Sequence, residues 1–317
     1  MAPRWFALVL VSFAVACGGE AKRPPTVPAG APGPGSTVAS SFVPAFDWPE
    51  SLAAKVHVSR RMTRGFAGRV EDKESSATML LTTSRVDGER SVRYSHLEPA
   101  NGSRPVAELL DQTLPMVLVD LRLSAENEYV RTVGLEETMA GIIKLGEAAE
   151  KEKFAEFFRT FDVEFFQSFA RREWDWLVGY WDGRKFEPGT SGSAEILLGG
   201  DQTPVVAQFS AGALETCPGG SDPNACVRLS MVVERTGADC EHDGFVRVFL
   251  TSVYQAAGDP NAEFESCGLH VETLSEVATL IPHKQSQTQF LRTVIVDDGK
   301  TSPPFVVKRV VDRTMVY

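Results

Sequence analysis

The sequence predicts an α+β fold: a largely antiparallel β-sheet with a central block of two to three helices packed on it. Three observations carry this expectation. Strand-like segments fill residues 54–133 and return from Ser193 to the end of the chain. Between them, from Leu135 to Trp181, proline is absent and the apolar residues fall at helical spacing. Strands, then helices, then strands, with no βαβ alternation, argue against a parallel sheet.

The chain opens with Met1-Ala2-Pro3-Arg4-Trp5, followed by an apolar run from Phe6 to Ala16. One positive charge, about ten apolar residues and then small residues form the pattern of a secretory signal peptide, here residues 1–16. The run is too short to span a membrane, which takes about twenty apolar residues. Ala14-Val15-Ala16-Cys17 resembles the lipobox of bacterial lipoproteins, departing from it at Ala14, where Leu is commonest. The resemblance implies lipidation of Cys17 and a membrane partner reached through an N-terminal lipid anchor. Gly18 after the Cys implies the outer membrane. From Cys17 to Ala45 the chain is rich in Pro, Gly and Ala and almost lacks large apolar residues. Such a stretch cannot bury enough surface to offset its ordering entropy, so it reads as a disordered tether. The single folded domain is then expected over residues 46–317.

In that domain, Ala54–Ser59 alternates around Val56 and Val58. Residues 77–83 and 91–94 flank Asp87-Gly88, a two-residue hairpin turn. Met116–Leu121 and Glu128–Val133 form a second hairpin around Ser124–Asn127. The helical block 135–181 follows, with breaks expected near Gly146 and at Asp162, which could cap a new start. Phe154, Phe157, Phe158, Phe161, Phe165 and Phe169 line one face of it. Each fully buried Phe contributes about 1.5–3 kcal/mol, so the stripe must pack on something. The sheet is the simpler destination and a bound apolar ligand the functional one. Trp174, Trp176, Tyr180 and Trp181 form the densest aromatic group, at the end of the block. The candidate ligand-binding set is therefore Phe154, Phe157, Phe158, Phe161, Phe165, Trp174, Trp176 and Trp181. After it, residues 194–198, 205–209, 227–234 and 245–253 have strand composition. Residues 270–280, 289–296 and 305–316 make a closing meander. This layout loosely resembles the Lol-type lipoprotein carriers and related periplasmic lipid-binding lipoproteins, which implies that the sheet is strongly curved and covered by helices. The layout carries the resemblance, not a motif, and no functional residue transfers.

Besides Cys17 the cysteines are Cys217, Cys226, Cys240 and Cys267. Four in an exported domain most simply make two disulfides. The turn-forming run Pro218–Asn224 favours Cys217–Cys226, leaving Cys240–Cys267 to close the longer loop. A zinc set of Cys240, His242, Cys267 and His270 is the weaker alternative. A net charge of −10 without any basic run argues against nucleic acid. Gly189-Thr190-Ser191-Gly192-Ser193 does not fit a nucleophile elbow. No catalytic residue, metal or cofactor is assigned. The expectation is a non-enzymatic envelope lipoprotein that binds an apolar small molecule or lipid between sheet and helices. Its rivals are an envelope protein-interaction module with a protein partner, and a hydrolase without a recognisable motif.

Overall fold

The computed structural model describes residues 41–66, 68–96, 120–145, 151–152, 155, 159, 163–198, 204–240, 262–297 and 300–317. In the first half the strands are β1 (Ala53–Phe66), β2 (Arg69–Val86), β3 (Glu89–His96), β4 (Asp120–Leu123) and β5 (Tyr129–Thr132). In the second half they are β6 (Ser191–Leu197), β7 (Pro204–Glu215), β8 (Cys226–Thr236), β9 (Ala262–Glu276), β10 (Pro282–Asp297), β11 (Lys300–Thr301) and β12 (Phe305–Val316). They belong to one antiparallel sheet ordered β5-β4-β3-β2-β1-β12-β10-β9-β8-β7-β6, with β11 paired to β10. The two halves of the chain meet at its centre, where β1 and β12 pair from Lys55↔Val316 to Phe66↔Phe305.

The α+β expectation is overturned. Helix among the described residues comprises α1 (Leu135–Leu145), residues 151–152, 155 and 159, α2 (Val163–Trp174) and short turns, and α2 continues through Asp175–Gly179 as one 17-residue helix. This is a mostly-β architecture carrying a helix, not a sheet beneath a helical block. The strands are also longer than their alternating stretches: β2 has 18 residues, yet its first six, Arg69–Glu74, are all exposed. A strand wet on both faces has no period-two signal to read. The expected strand over 245–253, the residues Met116–Val119 and the breaks at Gly146 and Asp162 lie outside the described residues.

Strand registers follow the alternation. Along β1, Ala54, Val56, Val58, Arg60 and Met62 are buried, and Lys55, His57, Ser59 and Arg61 between them are exposed. Asp87 and Gly88, with φ of 53° and 85°, make the β2–β3 turn of the primed type that suits the twist of a hairpin.

The sheet is curved, and α2 shows why. Near its start, Gln167 bonds to Thr132 of edge strand β5; just beyond its end, the Tyr180 hydroxyl bonds to Leu197 of the opposite edge, β6. The chain rises about 20 Å between Gln167 and Tyr180 at about 1.5 Å per residue. Ten spacings of about 4.8 Å would hold the edges of a flat sheet about 48 Å apart. The sheet must therefore curl into a trough around α2, whose ends reach both rims.

The segment before β1 docks in the same place. Phe46 donates its N–H to Asp182, and its ring packs 5.2 Å from both Trp48 and Trp174. Arg90 holds the Trp48 carbonyl at 2.7 Å. Phe42 and Phe186 exchange backbone hydrogen bonds at 2.9 Å.

Cys217–Cys226 closes the turn between β7 and β8, and Cys240–Cys267 ties the 3-10 turn Gly237–Cys240 to β9; their Cα atoms are 5.0 and 5.8 Å apart. Two disulfides mark a domain that matures in an oxidising compartment outside the cytoplasm.

Candidate functional site

The inner face of the trough, with α2 seated on it, concentrates the buried chemistry. Glu164 in the first turn of α2 complements the helix dipole. At Asp175 the hydrogen bonding widens: the Asp175 carbonyl accepts the N–H of Tyr180 at 2.8 Å, five residues on. Such π-type turns often occur at functional positions. Gly179 leaves room here for the Asp175 carboxylate, which would have to turn aside from a Cβ placed 2.6 Å from its Oδ1.

Trp174, Trp176 and Trp181 are 1, 1 and 0% exposed. Trp174 meets Phe46 and Trp48 edge-on, at 5.2 and 5.9 Å. Trp181 lies edge-on to Phe209 at 5.8 Å and donates its indole N–H to the Trp176 carbonyl at 2.9 Å. The three indoles are buried against the inner face of the trough. Phe165 is half-buried, edge-on to Phe166 at 5.4 Å. Phe154, Phe157, Phe158 and Phe161 lie outside the described residues, as does Cys17.

Across the floor runs a belt of polar residues that sequence reading missed. Gln285, Gln287 and Gln289 of β10 point inward, as do Arg309 and Arg313 of β12, and all five are buried. Register pairs Gln285 with Arg313 and Gln289 with Arg309. Arg313 spans the belt and the helix: it donates to Glu173 and to Gln285, each at 2.5 Å. Glu173 and Arg313 are 3 and 4% exposed, so this is a buried ion pair. Gln287 donates to Glu173 at 3.3 Å and Gln285 to the Trp176 carbonyl at 3.2 Å. Beside the pair, burial raises Tyr94 to about 12, opposed by Arg313 and reinforced by Glu173. The belt is incompletely satisfied. Glu173 Oε1, Trp176 Nε1, Thr273 Oγ1 and Ser275 Oγ are buried without a hydrogen-bond partner among the described residues. Buried polar atoms are nearly always paired, so such a group marks where a water or a ligand's polar group docks. One signal was available: in Gln285-Ser286-Gln287-Thr288-Gln289 the inward positions of a core strand are all amides.

A second titratable group sits on the opposite side of the helix. Burial raises Asp175 from 3.8 to about 7, against the pull of Arg171 and Arg172. Burial likewise raises Tyr129, to about 12, and Tyr180.

Elsewhere, Gly189, Thr190 and Ser191 line a cavity of about 420 Å³ with Ser210, Ser230 and Glu272. Among the described residues its lining offers hydroxyls, the Glu272 carboxylate and the Arg228 guanidinium. The zinc alternative at Cys240 and Cys267 is displaced, because both sulfurs are spent in their disulfide. His270 instead meets Glu234 at 3.0 Å, and His242 lies outside the described residues.

No family model matches the chain, and no curated protein does. Among solved structures, one on lipid–protein interactions in lipovitellin is similar at a TM-score of 0.40 and 7% identity, over 85% of this chain and 25% of that one. The chain thus spans about a quarter of that protein's length. Neisserial surface protein A aligns over 83% of this chain and 96% of its own, at a TM-score of 0.16 and 5% identity. Both values fall short of a shared fold, and the functional reading rests on the site itself.

Proposed function

We propose that the chain is a membrane-tethered envelope lipoprotein whose trough holds an amphiphilic ligand, a lipid or lipid-like molecule. The lipobox-like Cys17 and the tether supply the anchor. The observation that carries the reading is the unsatisfied polar belt within an apolar trough. An amphiphile would offer its polar group to the unpartnered atoms of Glu173, Trp176 and Thr273. Pockets that bind small molecules have this makeup, mostly apolar with a few placed polar groups.

The test uses a Cys17→Ala chain exported into the periplasm, which needs no detergent. It should move from the membrane to the soluble fraction; continued membrane retention removes the anchor. Native mass spectrometry of the released protein, with analysis of its solvent extract, should show a stoichiometric amphiphile. Clean protein would remove the ligand reading.

One observation favours a second reading, an interaction module. The tip of the β1–β2 hairpin exposes Phe66 and Val70, at 47 and 68%, and Phe305 packs against Phe66. Crosslinking through this tip in the native envelope, lost in Phe66→Ser, would support it.

A further inference from the structure

We propose that reduction of the Cys217–Cys226 disulfide turns its surroundings into a zinc(II) site completed by His283 and Glu276, independently of what the trough holds. The two sulfurs and an imidazole nitrogen of His283 all lie within 4.8 Å of one another, and all three residues are buried. Glu276, outside that 4.8 Å group, places a carboxylate beside the imidazole: its Oε1 is 3.5 Å from His283 Nε2 and would swing in as the fourth ligand. The His283 side chain is 10% exposed, yet its Nε2 makes no hydrogen bond. One ring nitrogen thus lies near both sulfurs, and Nε2 faces a carboxylate oxygen at 3.5 Å without a hydrogen bond, which is the placement of a metal-ligand imidazole.

The backbone brings these groups together. Cys226 and Glu276 are register partners on β8 and β9. The β9–β10 register slips between Pro282 and Lys284, leaving His283 as the extra residue of a bulge. Bulges re-aim side chains, and this one turns His283 toward the disulfide. The loop between the cysteines is braced from within, by Gly220 N–H to the Cys217 carbonyl at 2.9 Å and Asn224 N–H to Asp222 at 2.9 Å. Val277 N–H also holds the Ala225 carbonyl at 2.9 Å. These bonds hold the backbone around both cysteines when the S–S bond opens and leave the side chains free to turn.

Two thiolates, an imidazole and a carboxylate are zinc ligands, with bonds of about 2.0–2.3 Å. Tetrahedral geometry then places neighbouring ligand atoms about 3.3–3.8 Å apart. The His283–Glu276 distance of 3.5 Å already meets this. The sulfurs, joined in the oxidised chain, must part to about 3.8 Å. The chemistry balances with a dithiol reductant. Two electrons and two protons pass from the dithiol to the protein disulfide, giving two cysteine thiols and the oxidised, disulfide form of the reductant. Zinc(II) then displaces the two thiol protons, which leave to solvent. Glu276, whose side chain is 32% exposed, lies on the route from solvent.

The experiment titrates cobalt(II), a spectroscopic stand-in for zinc, into the full chain before and after dithiol reduction. The reduced chain should take up one ion, with thiolate-to-cobalt charge-transfer and tetrahedral d–d absorption; the oxidised chain should show neither. His283→Gln should weaken binding about tenfold or more. Cys217→Ser with Cys226→Ser should abolish it while Cys240 and Cys267 remain. No charge-transfer band in the reduced chain, or unchanged affinity in His283→Gln, overturns the site. The same band in the double serine variant places the ion at the other cysteine pair and also overturns it. If reduction unfolds the chain, excess zinc(II) should restore its β-sheet circular dichroism, because an ion bound only by the folded state stabilises it. Failure to restore it counts against the site.

Discussion

Gln167 stands in for a missing strand. Its Oε1 accepts the N–H of Thr132 at 2.7 Å, and its Nε2 donates to the carbonyl of the same residue at 2.8 Å. One side-chain amide thus completes both backbone groups of an edge residue, as a neighbouring peptide would. At the opposite rim, Tyr180 donates its hydroxyl to Leu197 at 2.6 Å. The helix lies along the trough and caps both of its edges, so the sheet need not close on itself.

Replacing Gln167 should therefore loosen the β5 rim. Gln167→Ala removes three hydrogen bonds worth about 1 kcal/mol each, the third being the one Gln167 Oε1 accepts from the Tyr129 hydroxyl, and denaturant unfolding should show a loss of about 3 kcal/mol. Gln167→Glu keeps the acceptor for Thr132 N–H but loses the donor to its carbonyl, so it should fall between the two. Hydrogen exchange at the Thr132 amide should quicken in Gln167→Ala while amides of β10 stay protected. Equal quickening across the sheet would show that the residue acts globally and not as an edge cap.

The Glu173–Arg313 pair makes a different prediction. Removing one partner leaves a buried charge uncompensated, at a cost of about 3–5 kcal/mol. Glu173→Gln and Arg313→Met should each unfold at markedly lower urea. Combining Glu173→Leu with Arg313→Met removes both charges and should recover much of the loss, as buried pairs often tolerate apolar replacement. A double variant as weak as the sum of its singles would mean that the two side chains do not act together. Loss of any co-purifying amphiphile in the folded double variant would tie the belt to ligand binding.

Much of the sheet could be read along the chain because its inner face is half apolar. Val56 and Val58 in β1, and Val307, Val311 and Met315 in β12, carry the alternation. Asp87-Gly88 fixed one hairpin by turn chemistry alone. The balance of sheet to helix was misjudged where that signal fails. Arg69–Glu74 is strand exposed throughout, and Gln285, Gln287 and Gln289 are inward but polar. The second case also hid the candidate site. An inward amide is indistinguishable from an outward one until its register partner is known, and Arg313 lies in a different strand 28 residues away from Gln285. The disulfides were legible from turn residues, but the approach of His283 depends on a bulge that no local pattern announces.

Gly268 is a packing requirement. It faces its register partner Phe290, and a Cβ at Gly268 would come 2.4 Å from that ring and 2.9 Å from the Val233 carbonyl. The ring covers a backbone position that has no side chain of its own. Gly268→Ala should cost about 1–3 kcal/mol through overpacking. Adding Phe290→Leu opens space and should return part of that loss, although it also removes the edge-on contact of Phe290 with His270. A Gly268→Ala protein as stable as the parent would show that β8 and β9 can part at this point.

Asp175 should make stability depend on pH. Its carboxyl is raised from 3.8 in the unfolded chain to about 7 in the folded one, chiefly by burial. The folded state therefore prefers the protonated acid. Below about pH 4 both states are protonated, and the group imposes no penalty. As pH rises, the unfolded chain ionises first, and the advantage of the folded state is lost until its own carboxyl ionises near pH 7. The loss accrues at about 1.4 kcal/mol per pH unit, up to about 4 kcal/mol in total. Asp175→Asn cannot ionise, so its stability curve should run above that of the parent by a gap that opens between pH 4 and 7 and then stays constant. Arg171, 3.9 Å away, lowers the carboxyl and limits the loss. Arg171→Ala should therefore move the upper end of the window to higher pH and widen the gap. Urea midpoints at pH 4, 6 and 8 decide it: parallel curves for the parent and Asp175→Asn would mean that Asp175 ionises in the folded protein as readily as in the unfolded chain.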